Sequence, residues 1–311
     1  CAVFGACCFT VTLTNLTIQC PANLTVALPN NATTVAVNYE LPTATTDCPD
    51  TQISIQLLEG QPVGADFPGG VNNICFMATN TCGNQDSCCF TVTVTSLAIE
   101  CPANLTVALP NNATTIPVNY ALPTAVSDCP DTQLSIQLLQ GLPSGGDFAA
   151  GVNNVCFEAT NTCGNRDSCC FTVTVTTLGI QCPANVTVAL PNNAAGVVVN
   201  YAAPTTTTNC PDQAVNVNLL QGQASGGMFP AGVTSVCYGA TNTCGNTNSC
   251  CFTVTATTLD IQCPPAQTVT LPVAGTSVAV NYSAPTTTST CPDPVVTVNL
   301  IQGQLSGGAF P

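Results

Sequence analysis

The chain repeats itself every 81 residues, and that period constrains its fold more than any single residue does. Cys20-Pro21-Ala22-Asn23-Leu24-Thr25-Val26 returns as Cys101-Pro102-Ala103-Asn104-Leu105-Thr106-Val107 and as Cys182-Pro183-Ala184-Asn185-Val186-Thr187-Val188, with a worn copy from Cys263. A fixed long period is the mark of an array of similar modules. The 311 residues divide into a partial module at 1–17, full modules at 18–98, 99–179 and 180–260, and a partial module at 261–311. A unit of this size holds a core of its own when it is stapled.

Within one period the apolar residues alternate. Leu24, Val26 and Leu28 face one way, and Asn23, Thr25 and Ala27 the other. The same two-residue beat runs through Val35, Val37 and Tyr39, through Ile53, Ile55 and Leu57, through Ile74, Phe76 and Ala78, and through Phe90, Val92 and Val94. Alternation of that kind predicts half-buried strands. The stretch 60–70 is rich in Gly and Pro and reads as turns, and 80–86 reads as a loop. No window shows a helical period. The expected fold is all-β: a tandem array of β-sandwich modules, stapled by disulfides.

Cysteine is abundant, 23 residues, in a chain without His. Each full module carries six: Cys20, Cys48, Cys75, Cys82, Cys88 and Cys89, then Cys101, Cys129, Cys156, Cys163, Cys169 and Cys170, then Cys182, Cys210, Cys237, Cys244, Cys250 and Cys251. A repeated even set in small β modules indicates a disulfide framework made in an oxidising compartment. Cys-only zinc sites use paired CxxC knuckles, and none occurs, so no metal site is expected. Six cysteines allow fifteen pairings. Strand parity puts Cys88 inward and Cys75 and Cys89 outward. Sequence does not choose among the fifteen; the working hypothesis is Cys75–Cys89 across the last hairpin, Cys20–Cys88 between first and last strands, and Cys48–Cys82 between loops.

With the order of these blocks established, the chain resembles the hyalin repeat (HYR) module. The resemblance rests on Ile18-x-Cys20-Pro21-Ala22-Asn23-x-Thr25-Val26 and Val37-Asn38-Tyr39-x-x-Pro42-Thr43-Ala44-x-x-Asp47-Cys48, then Phe67-Pro68-x-Gly70, Ala78-Thr79-Asn80-x-x-Gly83-Asn84 and Cys89-Phe90-Thr91-Val92-Thr93-Val94. It implies an immunoglobulin-like sandwich in extracellular proteins of adhesion and matrix, with no catalytic residues to carry over. Cys75, Cys82 and the Cys88–Cys89 doublet are additions to that pattern.

Charge narrows the functional classes. One basic residue, Arg166, stands against 15 acids, for a formal −14. Nucleic acid and anionic membranes repel such a surface, so neither is an expected partner. No apolar run reaches the roughly 18 residues of a spanning helix. Catalysis needs a positioned base, and His and Lys are missing, so no enzyme is expected. The acids drift between modules: Asp47 becomes Asp128, then Asn209, then Thr290, and Asp66 becomes Asp147, then Met228, then Ala309. Only the Cys-Pro-Asp acid persists, at Asp50, Asp131, Asp212 and Asp293, where a turn explains it. No dense acidic cluster gathers the six to eight oxygens calcium takes, so calcium is not predicted and no cofactor is expected.

Seven Asn-x-Ser/Thr sequons occur, at Asn15, Asn23, Asn31, Asn104, Asn112, Asn185 and Asn281. Asn23, Asn104 and Asn185 fall on the outward parity of a strand, where a covalent glycan has room. Thr205 to Thr208 and Thr286 to Thr288, beside prolines, are weaker candidates for O-linked sugar. Residues 96–100 leave almost no linker between modules, and short apolar joints favour stiffness. The chain stops at Pro311, the equivalent of Pro68, and residues 1–14 resemble the two missing closing strands. Two expectations follow: the closing strands of one copy complete module 261–311 of the next, head to tail, or the 311 residues are a window of a longer chain. The expected function is a secreted structural protein of a fibre, cell-surface stalk or matrix strand, with itself and glycans as partners. An adhesin that presents loops or glycans to a receptor or carbohydrate is the other reading.

Overall fold

The structure is a computed structural model that describes residues 5, 7, 9–131, 133–292 and 294–311. Every element among them is a strand, and no helix occurs among the described residues.

The first repeat supplies eight strands: β1 (Leu16–Gln19), β2 (Leu24–Ala27), β3 (Thr34–Ala36), β4 (Thr43–Thr46), β5 (Ile53–Glu59), β6 (Asp66–Pro68), β7 (Gly70–Asn80) and β8 (Gln85–Thr95). One sheet has the order β2-β8-β7-β5. β2 runs parallel to β8, while β7 pairs antiparallel with both β8 and β5. Two antiparallel ribbons, β1 with β4 and β3 with β6, supply the facing layer. Leu16, Ile18, Val37 and Phe67 from that layer meet Ile74, Phe76, Ala78, Phe90, Val92 and Val94 from the sheet in one buried cluster. A sheet hydrophobic on one face must bury that face against another layer, and an immunoglobulin-like sandwich is the result.

Sequence chemistry sets the turns. Asn31 takes a positive φ of 60° and Asn112 one of 65°, a conformation Asn tolerates better than most residues. Gly141, at φ +92°, has no room for a side chain, since a Cβ there would lie 2.5 Å from the Asn154 carbonyl oxygen.

By packing, the chain divides into two compact units. One comprises Cys1–Leu105 with Pro117–Thr174, and the other Thr106–Ile116 with Val175–Pro311. In the first unit Leu97–Glu100 pairs with Thr124–Ser127, and Leu134–Gln140 with Gly151–Asn161. In the second, Val186–Ala189, Thr247–Thr257, Gly232–Asn242 and Val215–Gln221 form a sheet in the same order as β2-β8-β7-β5. Leu259–Gln262 pairs with Thr286–Ser289, and Val278–Ala279 with Ala309–Phe310.

Two expectations need correction. The stretch 60–70 is more than turns: it contains β6, whose Phe67 is 0% exposed and lies in the centre of the core. A three-residue strand with one inward side chain has no alternation to reveal it. Ile55 and Leu57 were expected to be buried, yet they remain 38% and 36% exposed. β5 is the edge strand of its sheet.

Candidate functional site

The eighteen cysteines of the full repeats form nine disulfides. The first repeat pairs Cys20 with Cys88, Cys48 with Cys82 and Cys75 with Cys89. The second pairs Cys101 with Cys169, Cys129 with Cys163 and Cys156 with Cys170. The third pairs Cys182 with Cys250, Cys210 with Cys244 and Cys237 with Cys251. Cys75 and Cys89 are register partners on adjacent strands, with Cα atoms 4.2 Å apart. Adjacent Cys88 points the other way and packs against the core, so the doublet staples both faces of one sheet. Cys7, Cys263 and Cys291 are unpaired among the described residues. No group of three or more His, Cys, Asp or Glu side chains among them could hold a metal ion.

The drifting series that begins at Asp47 consists of interchangeable acceptors. Asp47 accepts from the backbone N–H of Asn15, Asp128 from Ser96 at 2.5 Å, Asn209 from Thr177 at 2.6 Å and Thr290 from Thr258 at 2.8 Å. An oxygen is required at this position and a charge is not. The Cys-Pro-Asp carboxylates close Asx turns: Asp50 accepts from Gln52 N–H at 3.3 Å, Asp131 from Gln133 at 3.2 Å and Asp212 from Ala214 at 3.1 Å. The Thr243 hydroxyl also donates to Asp212 and holds its carboxyl below the usual range. Asp293 lies outside the described residues.

The seven sequon asparagines are all exposed. Oδ1 of Asn23, Asn104 and Asn185 accepts from the N–H of Thr91, Thr172 and Thr253 at 2.8–2.9 Å. Nδ2, the atom an N-linked sugar would occupy, is not used in these bonds.

Junctions between repeats carry a polar lock that sequence reasoning missed. β8 ends at Thr95, one residue (Ser96) follows, and β9 (Leu97–Glu100) begins the next repeat. Thr95 Oγ1 donates to Asn165 Oδ1 at 2.9 Å, and Asn165 Nδ2 donates to the Thr95 carbonyl at 2.7 Å and the Leu28 carbonyl at 3.3 Å. Asn161 fixes Asn165 in turn: its Nδ2 donates to Asn165 Oδ1 at 3.0 Å, and its Oδ1 accepts from Asn165 N–H at 2.9 Å. Thr95 is 0% exposed and Asn165 3%. The lock recurs with Thr176, Asn246, Leu109 and Asn242. Thr14 and Asn84 make the corresponding pair ahead of the first repeat. The signal was present in the sequence, since the Asn-Thr-Cys-Gly-Asn run is identical at 80–84, 161–165 and 242–246. Polarity alone made it look like an ordinary loop.

Tyrosines tie a loop to the core. The Tyr39 hydroxyl donates to the Gln61 carbonyl at 2.7 Å and that of Tyr120 to Leu142 at 2.5 Å, and Tyr201 bonds the Gln223 carbonyl. Their rings pack edge-on against Phe90, Phe171 and Phe252 at 4.9–5.2 Å.

Of the two stretches proposed to join head to tail, residues 1–4, 6 and 8 lie outside the described residues. Residues 263–310 border an apolar groove of about 450 Å³, lined in part by Val269, Val280, Tyr282, Leu300 and Phe310.

Known proteins resemble the chain in the same units. The HYR domain profile matches residues 14–94, 97–175 and 179–256. Hyalin of Strongylocentrotus purpuratus is 29% identical over 293 residues, 87% of this chain and 23% of that protein. Hyalin of Lytechinus variegatus is 26% identical over 275 residues, 81% of this chain and 49% of that protein. The chain thus spans 23% and 49% of the lengths of these two curated relatives. Among solved structures, the titin I-band fragment I67–I69 aligns with 78% of this chain and 98% of its own, at 11% identity and a TM-score of 0.36.

Proposed function

Since the chain belongs to the HYR domain family, we propose that it is a mechanical element of an extracellular fibre or matrix strand, bearing N-linked glycans at Asn15, Asn23, Asn31, Asn104, Asn112, Asn185 and Asn281. The observation that carries this reading is the buried Thr95–Asn165 lock and its repetition at Thr176–Asn246. Modules that only displayed binding loops would function on flexible tethers. Here one residue separates the last strand of one repeat from the first strand of the next, and buried hydrogen bonds close over it. Three disulfides per full repeat resist unfolding under load and support an oxidising, extracellular setting. A chain without Lys and with a single Arg offers little to trypsin-like proteases.

Backbone nuclear relaxation across the first two repeats tests the mechanical part. A shared tumbling time on both sides of Ser96 is expected, and separate tumbling times would refute it. Digestion of native material with an N-glycosidase tests the glycans. It should lower the mass and convert occupied asparagines to Asp, and an unchanged mass would remove the glycans from the proposal.

A further inference from the structure

In each full repeat one disulfide spans most of the period. Cys20–Cys88, Cys101–Cys169 and Cys182–Cys250 each join residues 68 apart, within a period of 81. The joined cysteines stand where the chain enters and leaves a sandwich. Cys20 lies between β1 and β2, and Cys88 lies in β8, the last strand of the repeat. From Cys88 only 13 residues lead to Cys101, where the next such bond begins, and 13 lead from Cys169 to Cys182. A covalent line therefore runs from bond to bond and bypasses residues 21–87, 102–168 and 183–249.

That line is already drawn out. Of residues 88–100, all but Ser96 lie in β8 or β9. Of residues 169–181, all but Thr177 lie in Arg166–Thr176 or Leu178–Gln181. A strand rises about 3.3 Å per residue, close to the limit of a stretched chain. β8 is also firmly seated, with β2 bonded on one side and β7 on the other. Its Phe90, Val92 and Val94 are buried in the core. Thr247–Thr257 has the same place in the third repeat, between Val186–Ala189 and Gly232–Asn242. Cys20 and Cys88 pack against the core, whereas Cys89 is exposed. The other two bonds lie off the line. Cys48–Cys82 is enclosed in the bypassed stretch, and Cys75–Cys89 ties that stretch to β8 one residue past Cys88.

We propose that Cys20–Cys88, Cys101–Cys169 and Cys182–Cys250 carry the tension in this chain and shield the rest of each sandwich from it. Force passed along the backbone leaves it at Cys20, crosses the sulfur bridge and continues in β8. Residues 21–87, with the sequons at Asn23 and Asn31, keep their fold while the strand is pulled. Whatever the hydrogen bonds at a joint withstand, the covalent line sets the length the chain can reach. This inference rests on the mechanical reading above and names the bonds that serve it.

Single-molecule stretching of the full 311-residue chain, held by its two ends, tests the proposal. Residues before Cys20 and after Cys250 extend alike in every state, so states of one chain are compared. The oxidised chain should stay shorter than the fully reduced chain by three stretches of 68 residues, about 67–73 nm in all. Cys20→Ala/Cys88→Ala should lengthen the oxidised chain by about 11–12 nm, because Cys48–Cys82 still holds back 34 of the 68 residues. Cys75→Ala/Cys89→Ala should leave the stretched length unchanged. Should the Cys20→Ala/Cys88→Ala chain mispair its other cysteines, dithiothreitol added to the oxidised wild type under tension supplies the reading without a variant. Each bond takes two electrons and two protons from the dithiol, which closes to its own disulfide, and lengthening should total about 22–24 nm per repeat. Equal stretched lengths for oxidised and reduced chains would overturn the proposal. So would a lengthening in Cys75→Ala/Cys89→Ala equal to that in Cys20→Ala/Cys88→Ala. Separate tumbling of the repeats in an oxidised chain still held short would sink the stiff joints and leave this line standing. Shared tumbling with no length held back by disulfides would do the reverse.

Discussion

Thr95 and Asn165, 70 residues apart, exchange hydrogen bonds across a repeat boundary from which water is excluded. Changing Asn165 to Ala removes its bonds with the Thr95 hydroxyl and with the Thr95 and Leu28 carbonyls. The Thr95 carbonyl keeps Leu28 N–H and Asn161 Nδ2 keeps the Ser127 hydroxyl, so the expected cost is that of net hydrogen bonds, about 0.5–1.5 kcal/mol each. Denaturant unfolding should register that loss, and relaxation should show the first and second repeats uncoupled. Asn165→Asp keeps the shape but loses the donor while ionised. Burial and the facing carbonyl raise the folded carboxyl's pKa, so this variant gains on the wild type as pH falls and loses ground as it rises. If Asn165→Asp tracks the wild type from pH 4 to pH 7 (roughly the carboxyl range), the lock does not depend on that donor.

Most of the sandwich was legible because its strands are long enough to alternate. Phe90, Val92 and Val94 mark an inward face, and Cys75 and Cys89 fall on the outward parity that makes them neighbours. β1, β4 and β6 were not legible. β2 and β3 are as short but lie within longer alternating runs, Leu24 to Leu28 and Val35 to Tyr39, whereas β6 has one inward side chain and the Thr-rich β4 resembles a loop in composition. The lock escaped for a different reason. Asn165 looks polar and loop-borne, and only the fold reveals that the preceding repeat covers it. The drifting acids misled in the opposite direction, since loss of charge at Asn209 and Thr290 suggested no role where a geometric one persists.

The disulfides should differ in what their removal costs. Cys20–Cys88 closes 68 residues and Cys75–Cys89 closes 14. Chain-entropy scaling assigns them about 4.4 and about 3 kcal/mol. Cys75 and Cys89 also sit side by side on strands that β pairing already holds together, whereas Cys20–Cys88 ties the residues ahead of β2 to β8. Paired Cys→Ala replacement at 75 and 89 should leave a folded repeat with a lowered denaturant midpoint, and the same at 20 and 88 should lower it further. The reverse order would mean that the outer-face bond stabilises through something other than chain closure.

Tyr39, Tyr120 and Tyr201 set an alkaline limit. Burial pushes each phenol above its ordinary pKa, and for Tyr201 the Tyr238 hydroxyl at 3.1 Å adds to the rise. The neutral phenol is the form that donates to a carbonyl, and a phenolate there would face the carbonyl oxygen without a proton between them. With the folded pKa above the unfolded value of about 10, the contribution is complete below that pH and is lost as pH climbs through the folded value. Stability should therefore be insensitive to these groups near neutrality and decline above about pH 10. Tyr39→Phe/Tyr120→Phe/Tyr201→Phe should cost about 0.5–1.5 kcal/mol per lost bond at pH 7 and flatten the alkaline decline. Phenolate absorbance followed during titration supplies the independent check: three tyrosines should ionise late in the wild type, and that late component should be absent from the triple variant. Ordinary ionisation of all five tyrosines in the folded wild type would show that these hydroxyls are open to water and that the loop ties are not made.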